Sequence, residues 1–251
     1  MQRYKCRLAY DGSQFSGYQV QPEKRTVQGE VEKALQKLHK GELIKVYASG
    51  RTDAGVHAKG QVIHFDSYLS IPVEKWPVAL NSLLPDDISI LRTEKVGMDF
   101  HARYDASGKE YRYFVHLSAV RNPFRRHYAF QVPYSLNLSL MEEATGALIG
   151  VHDFTSFCSA KTDVEDRVRE VKQIEIRLEE DMLCFRFIGK GFLYNMVRIM
   201  VGTLLQVGTG EIAPNAIKEI LEKKNRIYAG KTAPPQGLYL WKVFYPTHNG
   251  Q

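Results

Sequence analysis

The chain of 251 residues has little cysteine: Cys6, Cys158 and Cys184 are odd in number, scattered, and never set as C-x-x-C. That excludes a disulfide scaffold and a zinc knuckle, and it reads as reduced thiols in a cytoplasmic protein. Long apolar runs are absent too. The longest, Ile199 to Leu205, falls far short of the roughly 18–20 residues needed to cross a bilayer. The opening Met1-Gln2-Arg3-Tyr4-Lys5 lacks the apolar core of a signal peptide. Eight histidines include no H-x-x-x-H pair and no cysteine partners, so no metal is expected.

What is present is an ordinary folded composition, 44% hydrophobic and 25% charged, in a length that suits one large or two medium domains. Lysine and arginine number 34 against 28 acids, a net charge of +6. A positive field favours polyanionic partners, with nucleic acid at the head of that class.

The periodicity predicts an order of elements. Tyr4 to Tyr10 alternates as a strand and stops at Asp11-Gly12. Val27, Val31, Leu35 and Leu38 recur at helical spacing. Leu43 to Ala48 and Gln61 to Phe65 read as strands on either side of a glycine-flanked loop. Pro72 opens a helix with an apolar face of Val73, Trp76, Leu80, Leu83 and Leu84, and Ile88 to Arg92 begins a fourth strand. This is the βαββαβ order of a ferredoxin-like unit.

The second half repeats the theme. Glu110 to Leu117 is a strand, and Ser139-x-x-Glu142 has the form of a capping box before a helix through Leu148. Val168 to Leu178 and Met182 to Ile188 read as a hairpin about Glu179-Glu180-Asp181. Tyr194 to Val207 is a helix apolar nearly all round, hence buried, followed by a helix over Pro214 to Lys223 and a strand over Leu238 to Tyr245. The expected class is α+β: two ferredoxin-like halves, 1–104 and 105–251, forming a mixed, mostly antiparallel sheet with helices packed on it and a central cleft for RNA.

The loop from Gly50 to Gly60 carries the densest set of functional groups, with Arg51, Asp53 and His57 among three glycines. An ionised Asp53 suits a nucleophile or a general base, and Arg51 two residues away would favour the ionised form. A plain turn also uses Asp and Gly, but this loop exceeds a tight hairpin. Phe100-His101-Ala102-Arg103-Tyr104 and Lys109 to Phe114, which contains Tyr111, interleave basic and aromatic residues, as do surfaces that stack bases and neutralise phosphates. Arg198, alone on its apolar helix, either snorkels to solvent or meets a buried carboxylate such as Asp53. Arg121, Arg125, Arg126, Lys161, Arg167 and Arg169 add charge in loops. Gly230-Lys231-Thr232 lacks the leading glycine and the preceding strand of a P-loop.

Gly50-Arg51-Thr52-Asp53-Ala54-Gly55-Val56-His57 resembles the signature of the TruA family of tRNA pseudouridine synthases. The resemblance runs in order through Tyr10-Asp11-Gly12, Gly60-Gln61-Val62, Phe100-His101-Ala102-Arg103, Tyr111-Arg112-Tyr113, Met196-Val197-Arg198 and Ala233-Pro234. Tyr18 stands where the family commonly has tryptophan. The resemblance implies a cofactor-free isomerase that acts on uridine in the anticodon arm of tRNA, as a homodimer, without DNA or membrane as a partner. It implies Asp53 as nucleophile, Tyr111 against the target uracil, and Arg51 and Arg198 beside the carboxylate. Two rivals remain at this point: a catalytically silent RNA-binding paralogue, and a hydrolase that pairs Asp53 with Asp11 or Asp153.

Overall fold

Burial alternates along β1 (Gln2–Tyr10), with Tyr4, Cys6, Leu8 and Tyr10 inward, which is the pattern of a strand with one face on a core. The computed structural model describes residues 1–159 and 164–246. Its contacts divide the chain into two units, Met1–Ser107 with the stretch from Tyr239 onward, and Gly108–Leu238.

In the first unit β1 is followed by α1 (Val27–Leu38), β2 (Tyr47–Ala48), β3 (His57–Ser67), α2 (Trp76–Asn81) and β4 (Ile88–Val96). Thr26 caps α1 by accepting the N–H of Gly29, and Val27, Val31, Ala34 and Leu35 form its buried stripe. β1 lies between β3 and β4, antiparallel to both, and β2 pairs with the far edge of β3, so the order is 4-1-3-2. This is the antiparallel ferredoxin-like arrangement that the element order predicts. Trp76, fully buried, packs against Tyr4 at 4.8 Å and Phe65 at 5.3 Å and ties α2 to the sheet.

β3 has two neighbours along one edge. Tyr47 and Ala48 face His64 and Ile63 near its end, whereas Tyr239 and Leu240 of β10 (Leu238–Phe244) run parallel to His57 and Ala58 at its start. The sequence reading placed this last strand with the second half; its contacts from Tyr239 onward group it with the first.

β2 is two residues long, where the sequence predicts a strand from Leu43. Ile44 and Val46 are buried and Leu43, Lys45 and Tyr47 exposed, so the alternation is real. The N–H of Val46, however, donates to Glu32 Oε1 on α1 at 3.1 Å instead of to a neighbouring strand.

The second unit holds β5 (Gly108–Leu117), β6 (Phe130–Val132), α3 (Leu138–Thr145), β7 (Gly150–Asp153), β8 (Val168–Glu179), β9 (Met182–Gly189), α4 (Met196–Gly208) and α5 (Ala216–Glu222). β9 lies between β5 and β8, β7 pairs with the outer edge of β8, and β6 runs parallel to the end of β5. Tyr111, Tyr113 and Val115 face Phe187, Phe185 and Leu183 across β5–β9, and Ile174 and Ile176 continue the apolar stripe on β8. α4 is buried nearly all round, as its composition predicts. The capping box does not form: Asn137 caps α3 by accepting the N–H of Leu140 at 3.2 Å, which starts the helix earlier and puts Ser139 inside it.

Candidate active site

The Asp53 loop is built from both ends. At its entry Ser49 donates its N–H to Val62 O at 2.8 Å and its hydroxyl to Gln61 Oε1 at 2.7 Å. Gln61 returns Nε2 to Gly50 O at 2.8 Å. One amide of β3 therefore pins two successive residues of the loop. Further on, the Thr52 hydroxyl is 2.7 Å from the Tyr10 hydroxyl, and Thr52 O accepts the N–H of Tyr18 at 3.0 Å.

Asp53 then opens a four-residue turn. Val56 N–H donates to Asp53 O at 3.1 Å, and Gly55, third in the turn, has φ of 76°, a conformation that glycine adopts without steric cost. The turn rests on the stretch after β1: Gly55 N–H donates to Phe15 O at 3.3 Å. A Cβ on Gly12 would overlap the carbonyl oxygen of Val56, and the same glycine donates its N–H to His57 Nδ1 at 3.0 Å. The result is a half-buried carboxylate on a loop whose flanks, Thr52, Val56 and His57, are buried. Burial pushes the Tyr10 hydroxyl up to about 12, with the bond to Thr52 working against it, so this support remains a neutral phenol at physiological pH.

Arg51 behaves otherwise than its spacing suggests. Its side chain is exposed, and among the described residues it forms no hydrogen bond or ion pair. The guanidinium faces solvent from the same loop. Asp11 is engaged with its own turn, accepting the Ser13 N–H and hydroxyl, and stands 3.2 Å from His57 Nδ1. Asp153 accepts the N–H and hydroxyl of Thr155 and pairs with Lys224 at 3.0 Å. Both acids thus have local structural roles of the kind short polar side chains take at turns.

In the second unit Tyr111 is 8% exposed, with its ring edge-on to Phe192 at 5.2 Å and 82°. Two residues on, Tyr113 is fully buried and donates its hydroxyl to Pro234 O at 2.7 Å. Arg198, half-buried on α4, donates Nε to Ala233 O at 2.7 Å and Nη1 to Asn195 Oδ1 at 2.7 Å, while its own carbonyl accepts the N–H of Ala233. Tyr113 and Arg198 so hold successive carbonyls of one stretch. Gly202, one turn along α4, makes room for that stretch, since a Cβ there would overlap Lys231 O. Arg198 does not simply snorkel: its head is oriented by two directed bonds.

Of the loop cations, Arg121 and Arg126 are exposed, Arg125 pairs with Asp181 at 2.6 Å, and Arg169 donates to the carbonyls of Asp166 and Val168. Arg167 is half-buried, and Lys161 lies outside the described residues. Gln61, Thr52 and Tyr10 are supports that the sequence pattern does not single out as functional, and His57, singled out as a functional group of the loop, serves as a support as well. Their partners are 11 to 45 residues away, which no local pattern displays. Among the described residues no three metal-ligating side chains are grouped, and no helix is long and apolar enough to cross a membrane.

The family model for tRNA pseudouridine synthase matches residues 8–105 and 144–246, including the Asp53 loop and Arg198. The chain is 60% identical to tRNA pseudouridine synthase A 1 of Bacillus cereus, over 98% of this chain and 99% of that one. It is 58% identical to tRNA pseudouridine synthase A of Anoxybacillus flavithermus, again over 98% and 99%. The corresponding protein of Geobacillus kaustophilus is also 58% identical, over 97% of this chain and 95% of that one. With motifs matched in order and the likeness running end to end, the chain belongs to the tRNA pseudouridine synthase family, as a member of its TruA branch.

Proposed function

We propose that this protein isomerises uridine to pseudouridine in the anticodon arm of tRNA, as a homodimer without a cofactor, with Asp53 as the nucleophile. The observation that carries the reading is the Asp53 turn itself, a carboxylate on a loop fixed by buried polar bonds, in a chain 60% identical to a tRNA pseudouridine synthase A. Fixed placement is what nucleophilic chemistry asks of its attacking group.

The reaction breaks the N1–C1′ bond, turns the base, and joins C5 to C1′ before the C5 proton leaves. No atoms are gained or lost. A carboxylate serves it by adding either at C1′ of the ribose or at C6 of the ring, and it leaves unchanged at the end. The target must first be drawn from its stack at a cost of a few kcal/mol. Phosphate contacts offset that cost. Arg51 takes one of these contacts in this reading, which its exposure and the lack of an ion pair among the described residues support. Tyr111, held edge-on against Phe192 and 8% exposed, is the aromatic residue that packs against the freed uracil in this reading. Arg198, oriented through Ala233 and Asn195, supplies the second cation.

The test is tritium release from tRNA labelled at uracil C5. Wild type is expected to release tritium, while Asp53→Ala and Asp53→Asn release none yet keep their fold and their affinity for tRNA. Turnover in either variant would remove Asp53 as nucleophile. A folded, tRNA-binding wild type that releases nothing would leave the silent binder as the reading.

A further inference from the structure

Away from the Asp53 loop, four rings of the first unit form one continuous chain. Tyr47 stacks on His64 at 5.0 Å and 15°, as its directly opposed partner across β2–β3. His64 meets His101 at 4.7 Å, and His101 meets Tyr104 at 4.3 Å and 32°. The inner rings are held by backbone. His64 Nδ1 accepts the N–H of Ala102 at 3.1 Å, and His101 Nδ1 accepts the N–H of Arg103 at 3.1 Å. Each bond fixes the imidazole proton on Nε2. The outer rings face water: Tyr47 is 47% exposed and Tyr104 is 76% exposed.

A single exposed tyrosine on a surface needs no explanation. Two on one contiguous cluster of rings, in which His64 meets His101 edge-on at 67° and Tyr47 also approaches His101 at 5.8 Å, with cations beside them, are a different matter. Arg103 is exposed, with its guanidinium 6.0 Å from the Tyr104 ring. Lys45 is exposed two residues before Tyr47, on the same side of an alternating stretch. The neighbouring Asp105, also exposed, accepts the His101 N–H at 2.8 Å. Burial, helped by His101 and Arg3, lowers His64 to about 4, so that ring is uncharged at neutral pH. Arg103 and Lys45 supply positive charge beside the rings.

We propose that Tyr47 and Tyr104 form a platform for unpaired bases of the RNA substrate, with Arg103 taking an adjacent phosphate. Rigid aromatic faces next to arginine are the means by which proteins hold splayed RNA bases. The platform does not serve the target uridine. His64 lies seven residues along β3 from His57, about 23 Å at the rise of a strand. The bases it takes are therefore ones elsewhere in the same RNA, and contact with them adds affinity without touching the reacting atoms.

This inference rests on the RNA-acting reading above, and the test separates the two. tRNA affinity, KM and kcat are measured for wild type, Tyr47→Ala, Tyr104→Ala, the double variant, both Tyr→Phe variants and Arg103→Gln, with thermal melts as a check on folding. The exposed position of Tyr104 makes its replacement structurally cheap. Each alanine is expected to weaken tRNA binding and raise KM about tenfold with kcat unchanged, while phenylalanine restores both. Arg103→Gln should reduce the salt slope of binding by about one. Titration with a short oligouridylate should move the His64 and His101 ring-proton resonances. A double variant that binds tRNA as wild type does, or one whose oligomeric state changes in place of its RNA affinity, overturns the platform. If wild type binds tRNA without releasing tritium and the double variant loses that binding, the isomerase reading falls and the platform stands.

Discussion

His57 Nδ1 accepts the backbone N–H of Gly12 at 3.0 Å, so a buried imidazole at the start of β3 holds the stretch on which the Asp53 turn rests. His57 also stacks on Tyr239 at 4.6 Å and 19°, which places β10 on its other side. The position of Asp53 therefore depends on atoms outside its own turn.

Gly12→Ala tests that dependence. The added Cβ meets the backbone oxygen of Val56, which cannot swing aside as a side chain would. We expect a destabilisation of roughly 1–3 kcal/mol, with a loss of turnover larger than the shift in melting temperature accounts for. Unchanged tritium release would show that the loop tolerates displacement.

Tyr18→Phe is expected to stabilise the protein. The Tyr18 hydroxyl is buried without a hydrogen-bond partner among the described residues, and burial pushes its pKa well above the ordinary phenol value. Removing an unsatisfied buried hydroxyl should gain about 1 kcal/mol, a rise of a few degrees in Tm for a protein of this size. A fall in Tm would mean that the hydroxyl has a partner in solution.

Glu110 governs acid stability in the second unit. Arg112 and Arg186 stand directly opposite each other across β5–β9, a like-charge pair that Glu110 bridges at 2.8 Å and 3.3 Å. Burial pushes the Glu110 carboxyl up, but the bonds from Arg186 and Arg112 outweigh it and hold the pKa below the ordinary value. Its stabilising contribution is therefore complete above about pH 4.3, the unfolded value, and is lost as pH falls through the lower folded value. Glu110→Gln should cost roughly 2–3 kcal/mol at neutral pH, less than a fully buried pair because both arginines are partly solvated. Melting curves of wild type and variant should converge in acid, and parallel curves would remove the linkage.

Much of this was legible from local pattern. The stripe Val27, Val31 and Leu35 marks α1, and the glycines around Asp53 mark a loop longer than a hairpin needs. Where the reading failed, a non-local partner had intervened. Glu32 took the N–H of Val46 and ended the ladder that would have lengthened β2. Asn137, two residues before Ser139, takes the cap by accepting the Leu140 N–H. In the site, spacing put Arg51 near Asp53, but residues two apart on an irregular loop need not face each other, and Arg51 points to solvent. Gln61 and His57 were visible as letters, yet their roles depend on Gly50 and Gly12, which only the folded chain brings to them.

The parallel pairing of Tyr239 and Leu240 with His57 and Ala58 also bears on how the protein comes off the ribosome. The first unit emerges up to Ser107, but the strand that covers the start of β3 is made roughly 130 residues later. Until then the backbone beside His57 is an open strand edge, the kind that recruits foreign chains. The nascent chain must carry this exposed edge through the synthesis of the entire second unit. A message truncated before codon 239 would yield a protein that contains every residue of the Asp53 loop and lacks the strand that seats it.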